Sequence, residues 1–415
     1  MIAQRKIKRI FLGGIFLDEQ VKSIVNNSHG SIQNAADALQ KAIIIGLKES
    51  GVDDLSVVNM PFIGSYPQRY KRPHFQAIET TFDTTISVFG PPFLTIRFIK
   101  SISRFISAFK GLKRQGREAM NGETIQIIVY SANLPLISAA LLYAAATRNA
   151  HVCLVLPDFP EFMGSGGIFY RFAKSIESAI FKRLSKRVAK FVVLTDFMAL
   201  RLNLKNERYI VVEGIFNQSD YAAAKQGTSL ESKNFTFLYT GTLAKRYGIL
   251  DLLSAFSRIK NDNARLQICG EGDAKPDVIS YCQRDTRATY LGQVSRDVAL
   301  SLQRDADVLV NPRRPEGEYT KYSFPSKTLE YMASGKPVIM HSLPGIPYEY
   351  HEFLLLPSTP DTSGLASVMQ RVLEMRAEEL AAIGAKGKIF IFQNKTTIHQ
   401  GRRIAEFLDR MDGIR

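Results

Sequence analysis

Short apolar runs alternate with helix-periodic stretches along the whole chain. In the first half, runs rich in Val, Ile and Leu include IKRIFLGGIF, DLSVVNM, TIQIIVYS, HVCLVLPD, KFVVLT and RYIVVEGI. The second half contains NFTFLYTG, RLQICGEG, ATYLGQ, ADVLVNP, KPVIM and EFLLL. Continuous apolar runs separated by about 10–20 helix-periodic residues are typical of parallel strands that are buried on both faces. The pattern predicts an α/β protein built on parallel sheets.

The strand-and-helix pattern restarts once, after a polar stretch with little periodicity. This stretch, FNQSDYAAAKQGTSLESKN at residues 216–234, is interpreted as a linker, and a new strand, glycine turn and helix follow it. Two successive α/β units predict two Rossmann-like domains, at residues 1–220 and 230–392, with a ligand-binding cleft between them. Residues 393–415 predict a C-terminal helix that packs back on the first domain.

The composition fits an ordinary globular protein. The 415 residues are 45% hydrophobic and 22% charged, which excludes a disordered, collagen-like or low-complexity chain. Three cysteines lie far apart without a CxxC motif, so we expect a reducing compartment, with Cys153 and Cys269 in the core. The basic N-terminus is interpreted as a first strand and not as a signal peptide. The longest apolar run, at residues 134–147, is too short to span a bilayer comfortably. These features predict a cytosolic protein.

Positive charge is concentrated in the first half of the chain. The net charge is +15, and residues 1–210 hold 28 basic and 15 acidic side chains, against 26 and 24 in the remainder. Two segments, Ile96–Arg117 and Ile168–Phe191, combine many Lys and Arg residues with isoleucine and phenylalanine at helical spacing. Such helices suit an anionic membrane surface, although their apolar stripes could equally face the core. We favour the membrane over nucleic acid, because no zinc finger, basic zipper or aromatic RNP-like strand is present.

Two loops of the second half have the composition of a phosphate site. Tyr239–Thr242 closes a strand, and Lys245 and Arg246 precede the next helix. A glycine turn with two cations beside a helix N-terminus is a plausible diphosphate cradle. The next strand ends in Gly270–Asp273, where glycine allows a ligand close to the backbone. Either loop could also be an ordinary turn.

The segment NPRRPEGEYTKYSFPSKTLEYMASGKPVIM, at residues 311–340, is more specific. It predicts a strand, a long loop, a short helix, a turn and another strand. Ser326 and Lys327 open the helix, whose free N–H groups can hold a phosphate, and Glu330 lies one turn further, within reach of a ribose diol. The alternative is that Ser326 only caps the helix and that Glu330 only complements its dipole.

These motifs resemble the donor half of glycosyltransferase family 4. FPSKTLEYMASGKPVI, ADVLVNPRRP, FLYTGTLAKRYGILDLLSAF and ICGEGD carry the resemblance, which is closest to the branch found in bacterial capsule and exopolysaccharide clusters. It extends more weakly to VLPDFPEFM, IVVEGIFN and GSIQNAADALQKAIIIGL. The resemblance implies a GT-B fold, a nucleotide-sugar donor in the C-terminal domain, and a retaining reaction without a bound metal or other cofactor. The positions implied to bind the donor are Gly241, Thr242, Lys245, Arg246, Glu271, Arg313, Ser326, Lys327, Thr328 and Glu330.

Within that set, the resemblance implies separate roles. Arg246 and Lys327 would hold the departing diphosphate and so act in catalysis, with Arg246 favoured over Lys245. Glu330 would bind the ribose, and Glu271 would lie near the nucleobase. Arg313 would supply a further cation.

The sequence departs from the family pattern at one acid. The usual paired glutamates stand eight positions apart, and Tyr322 stands eight positions before Glu330. Glu316 and Glu318 lie nearby and could replace the missing acid, which normally contacts the sugar hydroxyls. This departure leaves the donor sugar open.

Fewer residues point to an acceptor site in the first half. Asp158 follows the strand HVCLVLP and could orient an acceptor hydroxyl or accept its proton, although it could equally belong to an ordinary turn. Gln33 and Asn34, at the start of an early helix, are weaker acceptor-binding candidates.

No metal site is expected. Asp305 and Asp307 lead directly into a strand and are interpreted as structural. The histidines are scattered, and His341 is expected to be a surface or packing residue. No His/Cys cluster with metal-ligand spacing is present in the sequence.

Together the sequence predicts a glycosyltransferase on the inner face of the cell membrane. It would move a sugar from a nucleoside-diphosphate donor, most plausibly UDP-linked, to a lipid-linked oligosaccharide in surface polysaccharide biosynthesis. A GT-B sugar-nucleotide epimerase is one alternative. A non-catalytic nucleotide-sugar-binding or glycan-binding subunit is another, and Tyr322 keeps that alternative open.

Overall fold

The computed structural model describes residues 6–30, 32–117, 123–162, 168–218, 221 and 234–410. The chain divides into two compact units. Unit 1 is Met1–Glu213 with Thr397–Arg415, and unit 2 is Gly214–Thr396. Most of the predicted linker, including residues 222–233, lies outside the described residues.

Unit 1 is built on an eight-stranded sheet with the order β10-β9-β8-β7-β1-β2-β5-β4, and a two-stranded β3-β6 pair lies apart from it. The six runs predicted in the first half each contain a strand. Residues 74–94 add β3 to β6, which the apolar pattern did not predict, and β4 pairs antiparallel with β5 at the sheet edge. The strands are β1 Ile7–Gly13, β2 Leu55–Asn59, β3 His74–Phe75, β4 Ile78–Phe82, β5 Ile86–Gly90, β6 Phe93–Leu94, β7 Thr124–Tyr130, β8 Ala150–Leu156, β9 Lys190–Val193 and β10 Tyr209–Val211.

Two helices of unit 1 leave their apolar stripes in solvent. The helices are α1 Asp18–Asn27, α2 Asn34–Glu49, α3 Lys100–Gly116, α4 Leu134–Ala146, α5 Ile168–Ser185 and α6 Asp196–Arg201. On α3, Ile102 is 63% exposed, and on α5, Phe172 is 67% exposed. Ile99 and Ile106 near or on α3 and Ile176 and Ile180 on α5 are exposed as well. The alternative in which these stripes form core is therefore wrong.

Unit 2 is a five-stranded parallel sheet with the order β13-β12-β11-β14-β15. Its strands are β11 Phe235–Thr240, β12 Ala264–Cys269, β13 Ala288–Gly292, β14 Val308–Asn311 and β15 Val338–Met340. Its helices are α7 Ile249–Phe256, α8 Lys275–Arg284, α9 Arg296–Asp305, α10 Lys327–Ala333, α11 Thr362–Glu374 and α12 Ala377–Asn394. The last predicted strand, EFLLL, forms only an isolated bridge between Leu355 and Ile339, because a 3-10 helix occupies its first two residues.

The final helix, α13 at Thr397–Asp409, belongs to unit 1. It crosses α2 where two glycines meet: a Cβ on Gly401 would lie 2.1 Å from the Gly46 carbonyl. Three buried side chains of the sheet reach its last turn. Gln126 Nε2 donates to the Leu408 carbonyl at 3.0 Å, Lys190 donates to the Phe407 carbonyl, and Arg9 pairs with Asp409. Donors at these orphan carbonyls stabilise the end of the helix.

Two smaller expectations also have a structural outcome. Cys153 and Cys269 are buried, as predicted for core residues. In the described part of the chain, no helix is both long and apolar enough to cross a membrane.

Candidate functional site

The loop after β11 is shaped by glycine. Gly248 has a φ of +80°, and a Cβ at this position would lie 2.2 Å from the carbonyl oxygen of Pro312. Only glycine therefore allows this loop to pack against the segment that follows β14. Gly241, at the start of the loop, donates its N–H to the Cys269 carbonyl at 3.0 Å. The loops that leave β11, β12 and β14 thus meet at the carboxyl edge of the sheet.

The two neighbouring cations of this loop have different surroundings. Lys245 Nζ lies 3.0 Å from Asp277 Oδ2, and the Lys245 N–H donates to Asp273 at 2.9 Å. Arg246 is exposed, and its guanidinium donates to the Tyr247 hydroxyl at 3.2 Å. Among the described residues, Arg246 has no carboxylate partner. The geometry therefore favours Arg246 over Lys245 as the cation available to an anionic ligand.

Arg313 is held within the protein. Its side chain is buried, its guanidinium lies 5.3 Å from the Tyr247 ring and 4.7 Å from the Tyr319 ring, and it donates to Ser323 at 2.7 Å. Because the cation is enclosed between two aromatic rings, it fixes these loops in place. These contacts give Arg313 a positioning role, and its binding of the donor as a further cation stays a prediction.

The start of α10 joins the two most specific residues of the motif. Lys327 Nζ lies 2.7 Å from Glu330 Oε1, and Gln303 of α9 donates to the same oxygen at 2.8 Å. Burial alone would raise the pKa of Glu330, but Lys327, Gln303 and Arg296 outweigh burial and hold this pKa below its ordinary value. The carboxylate therefore stays ionised, as an acceptor for ligand hydroxyls must.

Two neighbours on α10 act through the backbone and the core. Ser326 precedes the helix, and its side chain makes no capping hydrogen bond. Thr328 is fully buried, with its hydroxyl 3.8 Å from the Met340 sulfur. The side chain of Thr328 thus packs in the core, and donor binding by this residue stays a prediction.

Tyr331 is a supporting residue that the motif did not single out. Its buried hydroxyl accepts from the Thr240 N–H at 2.8 Å and donates to the Thr240 carbonyl at 2.9 Å. These bonds join α10 to the end of β11, immediately before Gly241. The only sequence feature that could have pointed to Tyr331 is its position directly after Glu330.

Glu271 forms part of a polar group at the end of β12. Lys275 donates to Glu271 Oε1 at 2.7 Å, and the Tyr290 hydroxyl donates to the Gly270 carbonyl at 2.8 Å. Thr242 is exposed in the adjacent loop, with its carbonyl accepting from Tyr239 at 2.8 Å. Nothing in the sequence pattern indicated that Tyr290 takes part.

Tyr322, which stands in place of the usual first glutamate, is coupled to a carboxylate. Its hydroxyl donates to Glu318 Oε1 at 3.1 Å within the 3-10 helix Glu318–Tyr322. Glu316 instead lies 3.4 Å from an Arg314 nitrogen. The pair formed by Tyr322 and Glu318 therefore brings an acid back to this part of the loop.

In unit 1, Asp158 lies two residues beyond β8 and is exposed. Tyr130 ends the neighbouring strand β7, and its pKa is raised first by burial and then by the charge of Asp158. The carboxylate thus lies near the carboxyl edge of the sheet. Gln33 and Asn34 are exposed at the start of α2, where Gln33 precedes the first helical residue.

Other residues hold the loop that follows β1. Gln40 accepts from the Gly14 N–H at 2.7 Å, and Asn59 accepts from the Ile15 N–H at 2.9 Å. Asp37 accepts from the next amide, that of Phe16, at 2.6 Å. Sequence analysis missed all three, because a polar side chain that holds a backbone amide is recognisable only once its partner is known.

No group of three or more His, Cys, Asp or Glu residues in the described ranges is arranged to hold a metal ion. Asp307 accepts from the Thr236 N–H at 2.7 Å, so the structural role predicted for this residue is confirmed.

Comparison with known proteins finds one family model that matches part of the second unit. Residues 234–375 match the family model of Glycosyl transferases group 1. That segment contains β11 to β15 and every candidate donor residue. No curated protein matches the chain in a sequence search.

Solved structures share the fold of the whole chain. Sucrose-phosphate synthase from Thermosynechococcus elongatus has a TM-score of 0.63 at 15% identity, covering 98% of this chain and 99% of that one. A UDP-forming trehalose-phosphate synthase from Burkholderia xenovorans has a TM-score of 0.65 at 12% identity, with coverages of 98% and 100%. Anabaena HepE in complex with UDP has a TM-score of 0.61 at 14% identity, with coverages of 97% and 100%.

The predicted GT-B fold, with two α/β units on parallel sheets, is therefore confirmed. The domain match and the fold together indicate a transferase.

Proposed function

We propose that this protein is a retaining glycosyltransferase that moves a sugar from a UDP-sugar to a hydroxyl of a lipid-linked glycan. The observation that carries the donor half is the pair formed by Lys327 and Glu330 at the start of α10, inside the matched segment. The complexes of Anabaena HepE with UDP and with UDP-glucose support the choice of UDP. The role in surface polysaccharide biosynthesis follows from the resemblance of the donor motifs.

The chemistry that we propose is electrostatic. The bond between the anomeric carbon and the diphosphate breaks, a bond from the acceptor oxygen forms on the same face, and the hydroxyl proton leaves. Arg246 and Lys327 stabilise the charge that develops on the diphosphate, and Glu330 holds the ribose. In unit 1, Asp158 orients the acceptor hydroxyl or takes its proton. No metal is needed, because the two cations replace it.

We assign the sugar contacts of the missing first glutamate to Glu318. The hydrogen bond from Tyr322 fixes the Glu318 carboxylate beside the residue that stands at the position of the missing acid. Glu316 is the weaker candidate because Arg314 lies against it.

A lipid-linked acceptor requires the protein to act at a membrane surface. Exposed apolar side chains on α5, including Phe172, Ile176 and Ile180, lie close in sequence to Lys182 and Arg183, which are exposed. Apolar and basic groups together favour an anionic bilayer, such as the inner face of the cell membrane.

The test uses UDP-sugars labelled in the sugar, incubated with the protein and a membrane lipid extract as the acceptor pool. We expect label to enter the organic phase, with release of UDP only when the extract is present. Stabilisation by UDP without any transfer would indicate a non-catalytic subunit. Conversion of the sugar nucleotide without the extract would indicate an epimerase. Failure of UDP to raise the melting temperature would overturn the donor assignment.

A further inference from the structure

Over its first two turns, helix α3 exposes isoleucine side chains and buries the charged side chain of Arg104. Ile99, Ile102 and Ile106 are exposed on one face, and Phe98, just before the helix, is 85% exposed. The buried face includes Arg104, with Ser107, Ala108, Gly111, Leu112 and Gln115 further along. A helix of a soluble domain normally buries its apolar stripe, so the core does not explain this arrangement.

The segment that carries the exposed stripe is basic, and Glu79 of β4 pairs with one of its cations, Arg114, at 2.7 Å near the end of the helix. Residues 96–117 contain seven Lys and Arg residues and no Asp or Glu. Arg97 lies 5.5 Å from the Phe98 ring, and Lys110 and Lys113 are exposed further along the helix. Apolar side chains bordered by cations match the interface of an anionic bilayer, where the rings enter the acyl boundary and the cations meet lipid phosphates.

The opposite face of α3 holds one backbone segment, residues 60–64. Arg104 donates to the carbonyls of Met60 at 2.9 Å and Pro61 at 2.8 Å. Lys100 donates to the carbonyl of Gly64 at 3.0 Å and also to that of Ile63. Burial lowers the pKa of Arg104 to about 10 and, together with the charge of Arg104, that of Lys100 to about 8. Lys100 and Arg104 thus both donate to carbonyl groups of segment 60–64.

This segment leaves β2 at the carboxyl edge of the unit 1 sheet. The Met60 N–H donates to the Gly13 carbonyl at 2.6 Å, and the Phe62 ring lies 6.1 Å from that of Tyr130. The segment therefore borders the loop after β1 and the end of β7, next to the strand that leads to Asp158. One helix connects the exposed apolar surface to the edge where the acceptor is proposed to bind.

We propose that an anionic bilayer is the partner of α3, and that docking of α3 on the bilayer fixes segment 60–64 in its acceptor-binding conformation through Lys100 and Arg104. The inference rests on the proposed function for its acceptor, but its bilayer contact does not depend on the donor. The bilayer binds the state in which α3 is helical and packed more tightly than it binds other states. It therefore shifts the conformational equilibrium of segment 60–64 towards the acceptor-binding conformation.

Bilayer contact is tested first. The chain contains no tryptophan, so Phe98→Trp introduces a single reporter at the most exposed aromatic position of the region. We expect its emission to shift to the blue with phosphatidylglycerol vesicles and not with phosphatidylcholine vesicles. In the same background, Ile102→Ser with Ile106→Ser should weaken vesicle binding about tenfold or more, since two partly exposed side chains no longer enter the bilayer. Ile389→Ser, at a similarly exposed isoleucine of unit 2, is the matched control.

Coupling is tested by hydrogen exchange of segment 60–64 in the unaltered chain. We expect about tenfold slower exchange with phosphatidylglycerol vesicles. Lys100→Met should bind the vesicles as well as the parent protein but lose this protection, and Lys100→Arg, which keeps a donor, should restore part of it. Binding without protection in the unaltered chain would overturn the coupling.

Two further outcomes separate this inference from the proposed function. Absence of vesicle binding, with sedimentation showing that the same face joins two copies of the chain, would overturn the bilayer assignment. Stabilisation by UDP is measured in the same preparations, because a loss of UDP binding concerns the proposed donor site alone. A protein that binds UDP but ignores both vesicles would disprove only the present inference.

Discussion

Lys327 Nζ and Glu330 Oε1 lie 2.7 Å apart, so the cation and the carboxylate of the donor motif are paired with each other before any ligand arrives. The pair is held further by Gln303, whose amide donates to the same carboxylate oxygen. In the proposed donor site, a diphosphate that approaches Lys327 would therefore meet a cation that is already oriented. The proposed ribose contact would use the second oxygen of Glu330, which neither of these bonds uses.

Loss of either member of this pair should weaken UDP binding. We expect Lys327→Met and Glu330→Gln each to raise the Kd of UDP about tenfold or more, because each removes a charge-assisted contact of about 1.5–3 kcal/mol. Calorimetric titration measures both. For the unaltered chain, UDP at 100 times its Kd should add about 2.7 kcal/mol of stability.

A matched control for the lysine variant is Lys260→Met, which removes one positive charge at the opposite, amino-terminal edge of the same sheet. Its UDP affinity should be unchanged. Equal losses in Lys260→Met and Lys327→Met would mean that only the net charge matters, against a specific site.

The two cations of the β11 loop should differ sharply in their effect. Arg246→Ala should lower kcat/KM about tenfold or more. The Arg246 guanidinium has no carboxylate partner among the described residues, so its full charge can act on the diphosphate of the donor. Lys245→Ala removes the same charge from a lysine that Asp277 already holds at 3.0 Å, and we expect less than a threefold change. Steady-state kinetics of UDP release distinguish them, and the reverse order would transfer the role to Lys245.

Tyr331 should matter for stability through a single hydroxyl. Tyr331→Phe leaves the N–H and carbonyl of Thr240 without this partner in a buried position, which should cost about 1–3 kcal/mol. A scanning calorimetry trace should show a lower Tm. Tyr348→Phe removes the hydroxyl of a side chain that is 85% exposed and should leave the Tm unchanged. A Tm equal to that of the unaltered chain in both variants would disprove the role of the Tyr331 hydroxyl.

His341 should make unit 2 sensitive to acid. The ring is buried, and neither nitrogen has a hydrogen-bond partner among the described residues. Burial, and then the charge of Arg314, lower the pKa of His341 below 6.5. The unfolded chain therefore takes up this proton at a higher pH than the folded chain, and stability falls as the pH drops below about 6.5.

His341→Leu tests that linkage, since leucine fills a similar volume and does not titrate. Between pH 7.5 and pH 5 we expect the Tm of the leucine variant to fall less than that of the unaltered chain. Parallel Tm curves over this range would show that the acid sensitivity lies in other groups.

Metal removal should leave the activity intact. The proposal assigns the stabilisation of the departing diphosphate to Arg246 and Lys327. After dialysis against EDTA, the rate of UDP release should therefore lie within about twofold of the rate in the same sample after Mg²⁺ is restored. Loss of activity that Mg²⁺ or Mn²⁺ recovers would contradict a metal-free reaction.

The parts of the fold that the sequence predicted are those whose signal is local. Buried parallel strands need continuous apolar runs, so β1, β2 and β11 could be located from the pattern alone. The antiparallel β4 could not, because its IETTF run is short, polar and half-exposed at the sheet edge. EFLLL has the composition of a strand but makes only one bridge, because pairing depends on the neighbour available.

Site residues divide in a similar way. Lys327 and Glu330 lie on one turn of one helix, so their spacing alone predicts that they meet. The partners Gln303 and Tyr290 come from other elements, and their approach is a product of tertiary packing. For α3, the helical spacing was recognisable, but the choice between core and solvent depended on Arg104, whose buried hydrogen bonds turn the isoleucines outward.

The last helix has a consequence for the order of assembly. Unit 2 is a single stretch of chain, whereas unit 1 is completed by α13, which delivers Asp409 to Arg9 near the opposite end of the polypeptide. During synthesis, residues 1–213 are made before α13, the helix to which Arg9 and Lys190 donate. The residues of unit 2, Gly214–Thr396, are also all made before α13, and the first unit can therefore be completed only once α13 has been made.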